Sequence, residues 1–291
     1  MAQVVKKKLV VCGGNGFLGS RICKAAVGRG WDVTSISRSG EPKWSTVTSS
    51  PEKPSWSQQV KWQKANILQP ATYISDLDGA DAVVHSMGIL LEADYKGVLQ
   101  GKESIWSGLS RAFGAKQGAD TNPLEQEEGT PAEPKEHDGQ LTYELMNRDS
   151  AILLAREAVS KSVPAYVYIS AAEGAPVLPA RYITTKRAAE STISSAFPKL
   201  RSVFIRAPFM YDSSRTFTMP LAAATSVAAA INSAVGGRLT PLMGAGGTKP
   251  LKADDVADAV VEAVEDEGRK GAIGVSEIQE LAIKAWRRNM S

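Results

Sequence analysis

The chain has 291 residues, 43% hydrophobic and 22% charged, the balance of a globular protein with a sizeable core. Its 34 lysines and arginines against 31 aspartates and glutamates leave a net charge of +3, which gives no support to a nucleic-acid partner. Two cysteines, Cys12 and Cys23, and two histidines, His85 and His137, argue against a disulfide framework and against any metal site.

At the N-terminus, Lys6, Lys7 and Lys8 run straight into an apolar stretch with no cleavage region, so no secretory signal is expected. No acid precedes Asp32, while Lys6, Lys7, Lys8, Arg21, Lys24 and Arg29 are basic. That bias reads either as organelle import information or as a solvated basic edge.

The elements then alternate. Lys8–Cys12 is a short apolar run, as for a strand buried on both faces. A glycine-rich turn, Gly13–Gly19, leads into a helix carrying Leu18, Ile22, Ala25 and Ala26 and closed by Gly28 and Gly30. Strands are predicted at Asp32–Ser37, Val60–Ala65 and Ala80–Ser86. Ser39–Gln59, with Pro42, Pro51 and Pro54, reads as a long loop bearing Trp44 and Trp56, with Trp62 just beyond. Asp94–Phe113 places Ile105, Leu109 and Phe113 on one helical face, for the core or for docking. Lys116–Gly139 reads as a mobile insertion. The rhythm resumes with a helix over Leu141–Val159, a strand over Ala165–Ser170, a helix over Pro179–Phe197 and a strand over Ser202–Arg206. Ala253–Val264 and Ser276–Arg287 are the last helices.

The pattern implies an α/β fold, a Rossmann-type doubly wound parallel sheet, over residues 1–206. A small, mostly helical C-terminal lobe is expected over 207–291, with helix 253–264 packing back on the core. Thr216–Gly237 carries no formal charge over 22 residues. Its Ala, Ser, Thr and Gly content argues against a membrane span and leaves a pocket-lining, surface-resting or buried helix.

Gly13, Gly16 and Gly19 form G-x-x-G-x-x-G at the first strand-to-helix turn. A tight turn there needs positive φ, and a pyrophosphate must approach backbone without an intervening Cβ. The helix N-terminus offers its unpaired N–H groups to the phosphates. Gly13, Gly14, Asn15, Gly16, Phe17, Leu18 and Gly19 are therefore candidate cofactor contacts. An NAD site usually ends its second strand on an acid; this chain has Ser37-Arg38-Ser39. Ser37 and Arg38 favour a 2′-phosphate, hence NADP(H) over NAD(H).

Tyr182 and Lys186 form Tyr-x-x-x-Lys on one helix face, where an ammonium can stabilise a phenolate and hold ribose hydroxyls. Ser170 ends the preceding strand, at the edge where such sheets bind ligands. Asn147 sits on the helix face of Ala151, Leu154 and Ala158, as a satisfied buried amide or an active-site group. These four are the candidate catalytic residues.

The chain resembles the extended or atypical short-chain dehydrogenase/reductases through GGNGFLG (13–19), SISRSG (35–40), DAVVHSMG (81–88), Asn147 in YELMNRD, YISAA (168–172), YITTK (182–186), IRAPFMYD (205–212) and PLKADDVADAVVEAV (250–264). The resemblance implies that Ser86, Met87 and Gly88 border the cofactor and that Ala207, Pro208 and Phe209 lie by the nicotinamide. The combination VVHSMGILLEADYKG, LTYELMNRDSA and PFMYDSSRTFTMP is similar to a fungal mitochondrial branch of coenzyme Q (ubiquinone) biosynthesis, akin to the NADPH-binding accessory subunit of respiratory complex I. That similarity implies peripheral residence on the matrix side of the inner membrane and membership of a quinone-synthesis protein complex. Three functions stay open at this point: an oxidoreductase on an apolar quinone-type or lipid substrate, a nucleotide-holding scaffold that catalyses nothing, and a sugar-nucleotide epimerase or dehydratase. The third is weakest, because the stretch after Ala207 shows no basic cluster for a second nucleotide diphosphate. One departure bears on Ser170: only twelve positions separate it from Tyr182.

Overall fold

The computed structural model describes residues 6–88, 123–125, 142–172, 180–212 and 249–290. The strands are β1 (Lys8–Cys12), β2 (Asp32–Ser37), β3 (Val60–Lys64), β4 (Ala82–His85), β5 (Ala165–Ala171), β6 (Arg201–Ala207), β7 (Met210–Tyr211), β8 (Leu251–Lys252) and β9 (Gly271–Ile273). Seven of them form one parallel sheet in the order β3-β2-β1-β4-β5-β6-β9. The central strands β1, β4 and β5 are largely apolar because both of their faces are covered, whereas the edge strand β3 carries exposed lysines. In β1, Leu9 and Val11 enter one core layer, while Val10 and Cys12 enter the other.

The chain winds one way through β1, β2 and β3, then crosses back to β4 on the other side of β1. The reversal opens a crevice at the carboxyl ends of β1 and β4, where such sheets bind ligands. α1 (Phe17–Gly28) begins at that edge directly after β1. Beyond β4, a π-helical turn (Glu144–Asp149) runs on into the α-helix Ser150–Ser160, and the helix Ala180–Ala196 follows β5.

Two regions differ from the sequence expectation. Ser39–Gln59 is not a featureless loop. It holds a helical turn, α2 (Trp44–Val47), and a 3₁₀ turn (Ser55–Gln59). Its prolines forbid a long helix, and Trp44, Trp56 and Trp62 pack together with ring centroids 5.6–6.4 Å apart. We number the later helices α3 (Ser150–Ser160), α4 (Ala180–Ala196), α5 (Ala253–Glu265) and α6 (Val275–Met290).

The second difference is the boundary at 206/207. β9 pairs with β6 inside the main sheet, and α5 and α6 contribute Val256, Val260, Ile278 and Leu281 to the same core layer as β1. Residues 251–290 therefore extend the dinucleotide-binding layer. The three-residue strand Gly-Ala-Ile carries no periodicity by which to read it. α5 lies against α1, where Arg29 reaches Glu262 at 2.9 Å and Glu265 at 2.8 Å. Arg201 closes the end of α5 by donating to the carbonyls of Ala263, Val264 and Asp266. The segments 94–113 and 216–237 lie outside the described residues. So does the expected insertion 116–139, apart from Pro123–Glu125. The Pro123 carbonyl accepts a bond from Arg156 of α3 at 3.1 Å. Among the described residues, no helix is long and apolar enough to cross a membrane.

Candidate active site

The glycine turn closes on itself. Gly13 sits at φ +85°, and Gly16 N–H donates to the Gly13 carbonyl at 2.9 Å. A Cβ on Gly19 would overlap that same carbonyl, and one on Gly14 would come within 2.8 Å of the Ser35 Cβ. Gly16 is different. A Cβ there would meet only the Gly13 carbonyl oxygen, at 3.1 Å, so its outer side is open. No side chain caps α1 at Gly16, and its first turn holds no acid. Uncapped N–H groups beside a side-chain-free surface fit a dinucleotide pyrophosphate. Leu18 turns into the core and Phe17 lies under the Arg21 guanidinium at 4.5 Å, so these two can offer only backbone to a phosphate.

At the end of β2, Arg38 is exposed and makes no ion pair among the described residues. Ser37 turns out differently from expectation: its buried hydroxyl donates to the Gly40 carbonyl at 2.8 Å and closes the turn. Asn15 donates to Ser39 at 2.7 Å instead, joining the glycine turn to this strand end. Lys64, missed in the sequence, stands in register with Ser37 at the end of β3 and is exposed. Its stem packs on Gly40, where an added Cβ would lie 3.0 Å from the Lys64 Cγ. The register of β2 on β3 was the signal that could have found it. Arg38 and Lys64 give this corner two cations.

The second half of the site gathers on α4 and the π-helical turn. Lys186 is buried, and its Nζ donates to the Ile169 carbonyl at 2.9 Å. The ammonium lies 5.5 Å from the Tyr182 ring centroid and 5.0 Å from that of Tyr168. Gly88, just beyond β4, approaches both halves: an added Cβ would be 2.8 Å from the Asn147 Oδ1 and 3.6 Å from the Lys186 Nζ. The structure thus brings Tyr182, Lys186, Asn147 and Gly88 together. Asn147 is fully buried in the π-helical turn, and the Tyr168 hydroxyl donates to its carbonyl. A π-turn replaces the i→i−4 ladder locally, which is how a helix can present an amide at a site. Tyr168 was also missed; its run of neighbours, AYVYIS, reads only as a buried strand.

Ser86 and Met87 border Gly13, and the Ser86 hydroxyl is committed to the Cys12 carbonyl at 2.9 Å. Ala207 and Pro208 are buried at the carboxyl end of β6, where Ala207 accepts from Ala172 N–H at 2.8 Å. Phe209 is half-buried and accepts from Leu251 N–H at 3.0 Å.

Ser170 is drawn elsewhere. Its hydroxyl donates to Glu190 Oε1 at 2.5 Å and accepts from Arg187 Nη1 at 3.0 Å. Arg187 and Arg206 both pair with the same buried carboxylate, at 2.8 and 2.5 Å. The expected role of Ser170, orienting a substrate oxygen, meets a hydroxyl already held by a charged network.

Burial sets the protonation of the pair on α4. It pushes the Tyr182 phenol up to about 12. It brings the Lys186 ammonium down to about 7, with Glu190 acting against that fall and Arg187 adding to it. Without a ligand, Tyr182 is therefore a neutral phenol, and the expected lowering of its pKa by Lys186 is absent. His85, under the site, is held down to about 3 by burial and by Lys186, and its Nε2 lies 2.9 Å from the Ser150 hydroxyl.

Residues 9–94 match the model of the NAD dependent epimerase/dehydratase family. Over 226 residues the chain is 38% identical to MIOREX complex component 2 of Saccharomyces cerevisiae, covering 73% of this chain and 76% of that protein. The chain belongs to the NAD dependent epimerase/dehydratase family. A chloroplastic Arabidopsis thaliana protein is 26% identical over 98% of this chain and 80% of its own length. Among solved structures, WbmG of Bordetella bronchiseptica in complex with NAD and UDP superimposes with a TM-score of 0.54. It is 14% identical over 99% of this chain and 79% of its own. UDP-N-acetylglucosamine 4-epimerase from Bacillus cereus gives 0.50, at 17% identity over 94% of this chain and 83% of its own. At such identities these two share the fold.

Proposed function

We propose that the chain is an NADP(H)-dependent oxidoreductase acting on an apolar, quinone-type substrate in mitochondrial coenzyme Q biosynthesis. It would work peripherally on the matrix side of the inner membrane, within a quinone-synthesis assembly. The observation that carries the reading is the convergence of Tyr182, Lys186 and Asn147 on Gly88, at the same sheet edge as the open glycine turn. The cationic, acid-free end of β2 supports the 2′-phosphate. The sequence motifs at 83–97, 141–151 and 208–220 support the quinone setting.

In this reading the nicotinamide supplies hydride exchange. Gly13–Gly19 holds the pyrophosphate, with Arg38 and Lys64 on the phosphate that distinguishes NADP(H). Tyr182 gives or takes the proton at the substrate oxygen. Lys186 binds ribose hydroxyls and, once protonated, stabilises the phenolate. Asn147 holds the Gly88 segment against both.

A second reading, a nucleotide-holding scaffold, is favoured by two observations. Ser170 is tied into a charged network, and Tyr182 is held up at about 12. The yeast relative is also, by name, a complex component. One pair of variants separates the two. Tyr182→Phe keeps the ring, so NADP(H) binding should survive, while a lost general acid/base lowers turnover by about 10²–10⁴-fold. In a strain lacking the native protein, the oxidoreductase reading expects quinone production to fail with Tyr182→Phe at normal protein level. Full rescue by Tyr182→Phe together with failure of Gly16→Val assigns the nucleotide a structural role instead. Calorimetric titration checks the cofactor: NADPH should bind at least about tenfold tighter than NADH, and Arg38→Ala should erase most of that ratio.

A further inference from the structure

Among the described residues four large apolar side chains are well exposed, and three of them stand on α6: Ile283 at 51%, Trp286 at 60% and Met290 at 69%. The opposite face of α6 is occupied, with Ile278, Leu281 and Ala285 buried beneath it. Along the outer face, residues 276, 279, 283, 286 and 290 follow the 3-4-3-4 spacing of a heptad seam. Ser276, Ile283 and Met290 form one column; Gln279 and Trp286 form the other.

The column beside this seam holds Glu280 and Arg287, seven residues apart. Both are exposed, and neither forms an ion pair among the described residues. The other cations of this helix are used differently: Lys284 and Arg288 reach Glu262, at 2.9 and 3.0 Å. The seam is thus edged by one acid and one base and has no net charge. An anionic lipid surface selects a cationic face, so this pattern does not suit it. It suits a partner carrying the same two charges in reverse order. A second α6 running antiparallel, centred between Ile283 and Lys284, is such a partner. It sets Glu280 against Arg287 of the other copy, and the two-fold axis makes that pair twice. A parallel copy would set both charges against the uncharged Ala282 column.

We propose that the outer face of α6 is a self-association surface, on which a second copy of this chain docks antiparallel through Ile283, Trp286 and Met290, flanked by reciprocal Glu280–Arg287 pairs. Two heptads are too short for free peptides, but each helix is already ordered by its packing on α5, so association need not supply that entropy. The apolar seam is small against the ~800 Å² per partner of a standard interface, so a weak, concentration-dependent dimer is expected.

The experiment is sedimentation velocity on the full chain from about 1 to 100 µM, with Glu280→Arg, Arg287→Glu and Trp286→Ala compared after thermal melts show that all remain folded. The parent should pass from monomer to dimer across that range. Each charge reversal sets like against like at two sites and should weaken association by about tenfold or more. An equal mixture of Glu280→Arg and Arg287→Glu chains restores both opposite pairs and should dimerise to within about threefold of the parent. Trp286→Ala should remove dimers without touching the charges. A parent that stays monomeric overturns the proposal, as does a mixture no more dimeric than its components. Trp286-dependent adhesion to phosphatidylcholine–phosphatidylserine vesicles, without self-association, would reassign the face to a bilayer and overturn it equally.

Discussion

Helix α4 serves two buried polar clusters that meet within one turn of each other. Around Glu190, every charge is answered. The carboxylate takes the Ser170 hydroxyl and two arginines, and Arg187 also donates to the Ala171 and Ala172 carbonyls, each at 2.7 Å. Around Lys186 the accounts stay open. Among the described residues the ammonium has one hydrogen bond, to a carbonyl, and the Tyr182 hydroxyl makes none. A satisfied network holds strand ends in place, whereas an unsatisfied buried cation is costly unless a ligand completes it. The first cluster anchors β5, β6 and α4; the second stands beside it on the same helix, one turn away.

Removing the Glu190 charge breaks this contrast most severely. Glu190→Gln leaves Arg187 and Arg206 without their shared partner, at a cost of about 3–5 kcal/mol for a fully buried pair. Both arginines are about one-third exposed, so we discount this to about 2–3 kcal/mol. The melting temperature should fall by roughly 5–10 °C. A variant as stable as the parent would show that the network does not hold the strand ends.

The two clusters also differ in how far the sequence discloses them. Tyr182 and Lys186 are legible because i, i+4 spacing is a local rule, and Gly13–Gly19 because backbone geometry demands glycine at a fixed place in the strand-turn-helix unit. The parallel sheet follows from element alternation. Glu190, Arg187 and Arg206 are not legible as a unit: Arg206 comes from another strand, and only the β5–β6 register, Ser170 opposite Arg206, brings it close. The same holds for Lys64 opposite Ser37. Register lies beyond any single strand's pattern. β9 escaped notice because three residues carry no period, and Ser37 misled because a hydroxyl at the right strand end can as easily close its own turn.

A smaller effect tests the open cluster through pH. Lys186 is brought down to about 7 in the fold, against 10.5 when unperturbed. Between those values the unfolded chain binds the extra proton, so this residue makes stability rise with pH across that window and is costly below it. From pH 7 to 9 the gain attributable to Lys186 should be about 2 kcal/mol, and Lys186→Met should lack it. His85 titrates below the window. Cys12 and Cys23, whose thiols burial pushes up, act in the opposite sense above about pH 8. Denaturant titrations of parent and variant at matched pH therefore isolate Lys186 as their difference. Parallel stability curves for the two would show that the ammonium is solvated rather than buried.

The smallest expected effect is the one that decides which cluster Ser170 belongs to. Its position at the end of β5 invites a substrate-orienting role, yet its hydroxyl donates to Glu190 and accepts from Arg187. Ser170→Ala removes two hydrogen bonds, one to Glu190 and one from Arg187, but these two stay paired with each other, so the net stability cost should be about 1 kcal/mol. If Ser170 belongs with Glu190, turnover should fall by less than about threefold, because no donor to the reacting oxygen is lost. If it reorients toward a bound substrate, the loss should resemble that of a transition-state donor, about 10²–10³-fold with little change in KM. A thermal melt and a turnover measurement on the same protein read the two outcomes separately. Ser170→Thr adds a control: it keeps the hydroxyl, adds a methyl in a buried place, and should cost stability through crowding while sparing turnover.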